Sequence, residues 1–429
     1  MRTIFILWLA WAGIMLAYQV WVPARLQLRR PDYALGWTPT ETTAGSQNGK
    51  IYLNEPLLNR HVSWDSEYYL AIAVGGYEDP NIRRIGGSFV SGGGGFWPFV
   101  IPSGGGMTLP GISLSYAFFP FYPLMIRLLA WPLSLTSLSP IAAASLAGVA
   151  VSMLGTLAAM VALFELGRAE LGDEGGLRAA FYLIIFPAGF FLAQIYTEGL
   201  FVGLAFSSLV LLRRGRRGWA ILLAVLATFT RAVGVTLIIP LLFSYAKDKT
   251  WLDLDLDWRQ LYFNGLPWAA LGQAILIFSP LLAFEVWRFS YYGMAFSRIE
   301  ADYFGRGLLS LGYTFVAWSE AFKALFGPNP QAAAYYAVEF GAIILGFVAC
   351  LSGRHRHPDL AWFGFLVVFL SFTSGPAQGM HRYIMAAPPV FLFLSRLGQR
   401  PAFDRAWTLA STLIMGIMAT MFMFDMWAG

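Results

Sequence analysis

Uninterrupted apolar blocks, rather than alternating apolar and polar positions, run along the whole chain. The first is Thr3 to Val22, and others follow at roughly 140–166, 178–194, 199–212, 218–230, 233–246, 266–285, 331–351, 359–374, 382–397 and 406–427. About 20 apolar residues cross the hydrocarbon core of a bilayer as a helix, whereas a membrane β-barrel is written in short alternating segments. The pattern therefore predicts an all-α, polytopic membrane protein of about eleven spans. Thr3–Val22 is longer than a typical signal h-region and lacks a clear small-residue cleavage site, so it reads as a retained first span.

Basic residues orient these blocks. Arg168 and Arg178, "RRGRRG" at Arg213–Gly218, "KDK" at Lys247–Lys249, "GRHRHP" at Gly353–Pro358, and Arg396, Arg400 and Arg405 fall between blocks or at their ends. Placing these loops in the cytoplasm makes the intervening spans come in pairs. It also sets the N-terminus inside and residues 23–139 outside. One further apolar stretch, Ala117–Leu135, would invert every later loop if it crossed the membrane. Its Arg127 and three prolines suit a helix lying in the outer interface. The expected organisation is one integral membrane domain, 1–429, with a first span at 1–22, a large outer loop at 23–139 and the remaining bundle at 140–429.

Composition agrees. The 429 residues are 57% hydrophobic and 12% charged, about half the charge of a soluble domain, with a mean hydropathy of +0.59. The net charge of +5 follows from cytoplasmic Lys and Arg and calls for no nucleic-acid partner. A single cysteine, Cys350, excludes an intramolecular disulfide and makes Cys-based metal chemistry an unlikely expectation. The glycine-rich stretch Gly86–Gly106 has neither a phosphate-loop spacing nor an expected strand before it, and reads as a linker. "DLDLD", Asp253–Asp257, reads as a solvated cytoplasmic edge. A second outer segment, about Val286–Gln331, is punctuated by "FGRG" and "FGPNP".

Candidate chemistry begins at "HVSWDSEYYLAIAVGGY", His61–Tyr77. Trp64, Tyr68, Ala71 and Ile72 fall on one helical face, with Ser63 as the expected N-cap and Asp65 and Glu67 in the first turn. Acids there complement the helix dipole, which accounts for them without any function. Other ionisable residues, however, gather at the same outer ends of the spans: Glu198 in "QIYTEG", Arg231 in "TFTRAVG", and His381 and Arg382 in "GMHRY". Ionisable groups at membrane depth are costly and point to function. Arginine recognises phosphate through a planar fork of donors, and a carboxylate can take a proton from a hydroxyl.

These blocks resemble a known family. "WDSEYYLAIAVGGYED", "AFFPFYPLMIRLL", "FPAGFFLAQIYTEGLF", "FTRAVG" and "HRYIMAAPPVF" occur in the order seen in the GPI mannosyltransferase II (PIG-V-like) family of polytopic GT-C-fold glycosyltransferases. The resemblance implies a GT-C-like bundle with juxtamembrane helices in the first outer loop. It implies transfer of a sugar, mannose by family, from a polyprenyl-phosphate donor to an acceptor hydroxyl on the non-cytoplasmic face, with no cofactor or divalent metal. It assigns Asp65 as the catalytic base, and Arg231, His381 and Arg382 to the donor phosphate. Trp64, Glu67, Tyr68, Tyr77, Tyr196, Glu198 and Tyr383 are the expected substrate contacts. Tyr68 stands where the family commonly has histidine. The acceptor would be a glycolipid, a glycan or a protein hydroxyl, in a prokaryotic plasma membrane by preference. Two other readings stay open: a transporter or flippase for a lipid-linked sugar, and a non-catalytic relative.

Overall fold

A computed structural model describes residues 1–28, 31–87, 109–247 and 268–429. Most of the glycine-rich stretch and all of "DLDLD" lie outside the described residues. In chain order the described helices longer than one turn are α1 (Arg2–Arg25), α2 (Ser66–Val74), α3 (Phe121–Leu133), α4 (Pro140–Ile184), α5 (Glu198–Arg213), α6 (Arg217–Thr228), α7 (Ile238–Lys247), α8 (Trp268–Arg288), α9 (Phe296–Asp302), α10 (Leu311–Leu325), α11 (Pro330–Gly353), α12 (Pro358–Phe372), α13 (Pro388–Leu397) and α14 (Pro401–Met423). The chain is helical, as its apolar blocks predict. One small departure is an antiparallel hairpin, β1 (Arg84–Gly87) with β2 (Leu109–Ser113), which pairs Ile85 with Ile112. A strand therefore does precede the glycine-rich stretch. The alternation of "RIGG" is too short to announce it, because its partner lies more than 20 residues away.

Among the described residues, five helices are long and apolar enough to cross a membrane: α1, α4, most of α8, α11 and α14. The 45 residues of α4 would extend roughly 68 Å, more than twice a bilayer core. The helix breaks at Gly172, where φ is +71° and ψ −177°. A Cβ on Gly167 would meet the Gly176 backbone at 3.0 Å, so the chain doubles back there. The 140–166 and 178–194 blocks are thus two antiparallel arms joined by a tight turn. Other predicted spans hold shorter apolar helices, α6, α12 and α13 among them, and eleven full-length crossings are not seen among the described residues. The missing length is irregular backbone. Short 3₁₀ turns occupy Gly189–Ala193, Ala232–Leu237 and Ile384–Ala386, where uninterrupted helix would otherwise continue. Irregular backbone at membrane depth persists where protein buries it or where it lines a polar cavity. All three turns flank the charged cluster described below.

Outward faces are apolar, as expected for lipid contact. In α1, Ile4, Trp11, Met15, Gln19 and Val22 face the core at helical spacing, while Phe5, Leu9, Ile14, Val20 and Trp21 are exposed. The core is dominated by α4, which packs closely on α5. That packing rests on a small-residue seam. A Cβ on Gly203 would lie 2.4 Å from the Gly155 carbonyl oxygen, and one on Gly199 would lie 2.2 Å from that of Ser152. Gly203→Val should therefore force these backbones apart and cost at least the roughly 1–3 kcal/mol of core overpacking. Thermal unfolding of the purified protein should show a clear loss. Gly218→Ala, at a site with nothing within 4 Å of an added Cβ, should show none.

Four of the five predicted cytoplasmic loops come together in space. Glu170 accepts from Arg396 at 2.9 Å and lies 3.7 Å from Arg356 and 3.2 Å from His357. Glu165 meets Arg214 at 2.8 Å, and Arg213 meets Asp359 at 3.3 Å. Loops 165–178, 213–217, 354–359 and 396–404 therefore share one end of the bundle. The short helix α3 has 13 residues, about 20 Å, too few to cross. It buries Tyr122, Pro123 and Ile126 and exposes Leu124, Leu128 and Trp131. Arg127, expected to mark an interface, has a structural task instead. Its Nε and Nη2 donate to the carbonyls of Ala73 (2.8 Å) and Ile72 (3.1 Å), capping the C-terminus of α2.

Candidate active site

The helix α2 begins later than its sequence pattern suggests. Ser63 is not its N-cap: the Ser63 hydroxyl donates to Asp425 Oδ1 at 2.6 Å. Trp64 lies outside the helix in a left-handed conformation, φ +52°, so it does not share a helical face with Tyr68. Asp65 occupies the N-cap position, yet its side chain makes no capping bond. Its backbone N–H donates to the Tyr196 hydroxyl at 3.2 Å, and that hydroxyl donates to the Ser63 carbonyl at 3.1 Å. The carboxylate is left free to face a cluster of guanidinium groups.

Four separate segments supply that cluster. Arg382 Nη1 lies 3.6 Å from Asp65 Oδ2, and Arg382 Nε lies 3.2 Å from Glu198 Oε1. Glu198 also forms an ion pair with Arg231. The ring of Tyr383 sits among three cations: the guanidinium carbons of Arg231, Arg306 and Arg382 lie 5.3, 5.1 and 5.1 Å from its centroid. Each distance is within cation–π range. Glu198 is 3% exposed and Asp65 keeps 27% of its side chain accessible. The more buried acid is thus the more closely paired one, and the acid that keeps access for a substrate is Asp65. Burial raises the Asp65 pKa above the usual carboxylate value, against the opposing pull of Arg382.

Arg306 was not read from the sequence, where "FGRG" looked like a chain breaker only. Its loop is tied to the end of α12: the Gly307 N–H donates to the Ser374 carbonyl at 2.8 Å, and the Ser310 N–H to that of Thr373 at 2.9 Å. Glu300 lies nearby, its pKa raised to about 7 by burial despite the counteracting Arg306. An arginine flanked by glycines in an outer segment was the available signal.

His381 has a different place from the one expected. Its Nδ1 lies 3.1 Å from Glu339 Oε1 and its Nε2 lies 2.8 Å from the Ala428 carbonyl oxygen. Both ring nitrogens are committed, so none is left to bind a phosphate, and the assignment made on resemblance does not fit this geometry. Glu339, wholly buried, also accepts from the N–H groups of Gly379 (2.6 Å), Met380 (2.7 Å) and His381 (3.2 Å). It fixes the turn that presents Arg382. Glu339 and Asp425 are ionisable groups near span ends without a sequence motif, and only the fold shows their tasks.

The segment after α14 completes the wall. Trp427 packs edge-on against Trp37 and Trp64, with centroids 4.9 and 5.3 Å away. Its N–H donates to Asp32 Oδ2 at 2.9 Å and its indole N–H to the Tyr335 hydroxyl at 3.1 Å. The Gly429 carbonyl accepts from Arg382 Nη1 at 3.2 Å. Trp427→Ala should loosen Trp64, and with it Asp65, and free the backbone partners of His381 and Arg382. The stability loss should stay within the roughly 3–5 kcal/mol of a core Trp→Ala change, while turnover falls more steeply than substrate affinity. Paired melting curves and kinetics check both.

The remaining expected contacts divide. Tyr196 is buried and positions Asp65. Tyr77 stacks on Tyr292 at 4.6 Å and donates to the Phe118 carbonyl at 2.8 Å, one layer behind the cluster. Tyr68 stacks on Phe118 at 4.6 Å. Glu67 points with Tyr68 into a neighbouring cavity rather than at the arginines. Among the described residues no group of three or more His, Cys, Asp or Glu side chains is placed to hold a metal ion.

Comparison with known proteins supplies further findings. Residues 110–323 match the Mannosyltransferase (PIG-V) family. Over 129 residues the chain is 37% identical to GPI alpha-1,6-mannosyltransferase 2 of Homo sapiens, which covers 28% of this chain and 25% of that protein. The chain thus spans about a quarter of that relative. Among solved structures, the oligosaccharyltransferase AglB of Archaeoglobus fulgidus, in complex with an inhibitory peptide and a dolichol-phosphate, aligns over 97% of this chain and 55% of its own, with 14% identity and a TM-score of 0.41. The apo form from the same organism aligns over 98% and 55%, with 13% identity and a TM-score of 0.42.

Proposed function

Since the chain belongs to the mannosyltransferase (PIG-V) family through residues 110–323, we propose that it is a membrane glycosyltransferase moving a sugar, mannose by family, from a polyprenyl-phosphate donor to an acceptor hydroxyl. The observation that carries this reading is the meeting of one accessible carboxylate, Asp65, with three guanidiniums around Tyr383. Glu198 offsets one positive charge while pairing with two arginines, and Glu300 is part-protonated near neutrality. The cluster thus holds surplus positive charge suited to a phosphate.

The chemistry is an inverting displacement. Asp65 takes the proton of the acceptor hydroxyl as its oxygen bonds to the anomeric carbon. The bond from that carbon to the phosphate oxygen breaks, and its electron pair leaves with the polyprenyl phosphate. Arg231, Arg306 and Arg382 hold that phosphate and stabilise its growing charge. With positive charge supplied by guanidiniums, the proposed reaction needs no divalent metal. Irregular backbone around the cluster gives the donor head group a polar niche at the membrane edge. The shared basic face at the other end of the bundle supports an outer, non-cytoplasmic site.

The test is transfer of radiolabelled mannose from polyprenyl-phosphate-mannose by the purified full chain, with membrane lipid extract as acceptor. Label appearing in a new product, with equimolar release of polyprenyl phosphate, is the expected result. Donor left intact across mannose, glucose and N-acetylglucosamine forms would sink the reading.

A further inference from the structure

Near the charged cluster lies a cavity of about 450 Å³, within the roughly 300–1,000 Å³ typical of small-molecule sites. It is bounded by Thr40–Lys50, by Glu67 and Tyr68 of α2, by residues 80–83, and by Tyr303. We propose that this cavity is the acceptor subsite and is built for a neutral, hydroxyl-rich, carbohydrate-type head group. The proposal rests on the glycosyl-transfer reading for its role and adds the acceptor's chemical class.

Position supports the assignment. Tyr68 lines the cavity and belongs to the same helix that starts at Asp65, three residues earlier. Its ring stacks on Phe118 and meets Phe304 edge-on at 6.5 Å. The chain from Tyr303, at the cavity, to Arg306, at the phosphate cluster, is three residues long. Cavity and arginines are therefore linked by two short stretches of chain, Asp65 to Tyr68 and Tyr303 to Arg306. A head group seated in the cavity can present a hydroxyl to Asp65 while the donor phosphate lies on the arginines.

The lining decides the class. Two acids, Glu41 and Glu67, balance two bases, Lys50 and Arg83. Lys50 lies 3.8 Å from Glu41, and Arg83 lies over the Tyr303 ring at 5.4 Å. An anionic head group would meet the acids as well as the bases, whereas sugar hydroxyls both donate and accept and can use both kinds of partner. Glu67 is the sharpest clue. It is 8% exposed, lines the cavity, and its carboxyl makes no hydrogen bond or ion pair to other described residues. A carboxyl without a protein partner at the cavity wall is available to pair with a ligand hydroxyl. Burial raises the Glu67 pKa to about 7, so near neutrality its carboxyl can donate or accept.

The experiment uses the full chain in nanodiscs, with octyl mannobioside as the neutral probe and dioctanoyl phosphatidylinositol as the anionic one. Calorimetry should show mannobioside binding that is weakened roughly tenfold or more by Glu67→Leu and by Arg83→Ala, as expected when buried hydrogen bonds lose one partner. Glu67→Gln, which keeps hydrogen-bonding capacity, should bind within a few-fold of the native chain. Unchanged melting temperatures would confirm that these variants fold. Tighter binding of the phosphatidylinositol, or equal mannobioside binding by native and Glu67→Leu chains, overturns the proposal. Asp65→Asn separates the two readings, since it should bind the probe normally while transfer falls by roughly 10²-fold or more. If the native chain binds the probe through Glu67 but consumes no donor, glycosyl transfer fails and the carbohydrate site stands.

Discussion

Asp65→Asn is expected to lower turnover by the roughly 10²–10⁴-fold that a positioned general base contributes, with little change in donor affinity. The asparagine keeps the shape and the Tyr196 contact to the backbone but cannot take a proton. The same carboxyl sets a pH dependence. Burial raises its pKa, and the base works only when ionised, so kcat/KM should fall as pH drops through that raised value. The acid limb should therefore lie above the ordinary aspartate pKa of about 3.9. The stability sign is the opposite. A folded-state pKa above the unfolded value means that this group's contribution is present below the unfolded pKa and lost as pH rises through the folded one. Asp65→Asn should therefore melt no lower than the native chain at neutral pH while losing its turnover. An acid limb that persists in the variant, or turnover within a few-fold of native, would move the base to another group.

How far the sequence carried this reading depends on whether the signal was local. Apolar blocks with basic loops between them announce helices and their polarity, and the ion pairs linking Glu170, Arg396, Arg356 and His357 bring those loops to one face. Glu198, Arg231 and Arg382 stood out because each is ionisable at the end of an apolar block, and Asp65 because it opens a short aromatic helix in the outer segment. Arg306 did not, because its importance lies in a loop held by backbone bonds to Thr373 and Ser374, some 60 residues on. The role of His381 was equally hidden. Residue type suggested a phosphate ligand, and only the fold supplies Glu339 and the Ala428 carbonyl to occupy both nitrogens. The start of α2 was misplaced for a related reason: a left-handed Trp64, held by Trp37 and Trp427, is a tertiary outcome that overrides the local helical pattern.

Glu198→Gln is the second large expected effect, and it falls on stability first. One buried carboxylate lies between Arg231 and Arg382, and neutralising it leaves two guanidiniums facing each other without their counter-ion. Breaking a buried ion pair by removing one partner costs roughly 3–5 kcal/mol, so the melting temperature of the variant should drop sharply. Adding Arg231→Met to Glu198→Gln should recover part of that loss. The double mutant would then cost less than the sum of the singles, as coupled neighbours do. Arg382→Lys probes the other side of the same arrangement. It keeps the charge but loses the planar fork that reaches Glu198, Asp65 and the Gly429 carbonyl together, and Lys does not replace Arg at such sites. Its melting temperature should fall less than that of Glu198→Gln, while its donor KM rises and its turnover drops. The rival picture makes Glu198 only an electrostatic opponent of the donor. In that case Glu198→Gln would melt like the native chain and bind the phosphate donor more tightly, because an acid beside the phosphate site would have been removed. Melting and donor titration of the one variant decide between a counter-ion that holds the arginines in place and a charge that merely weakens binding.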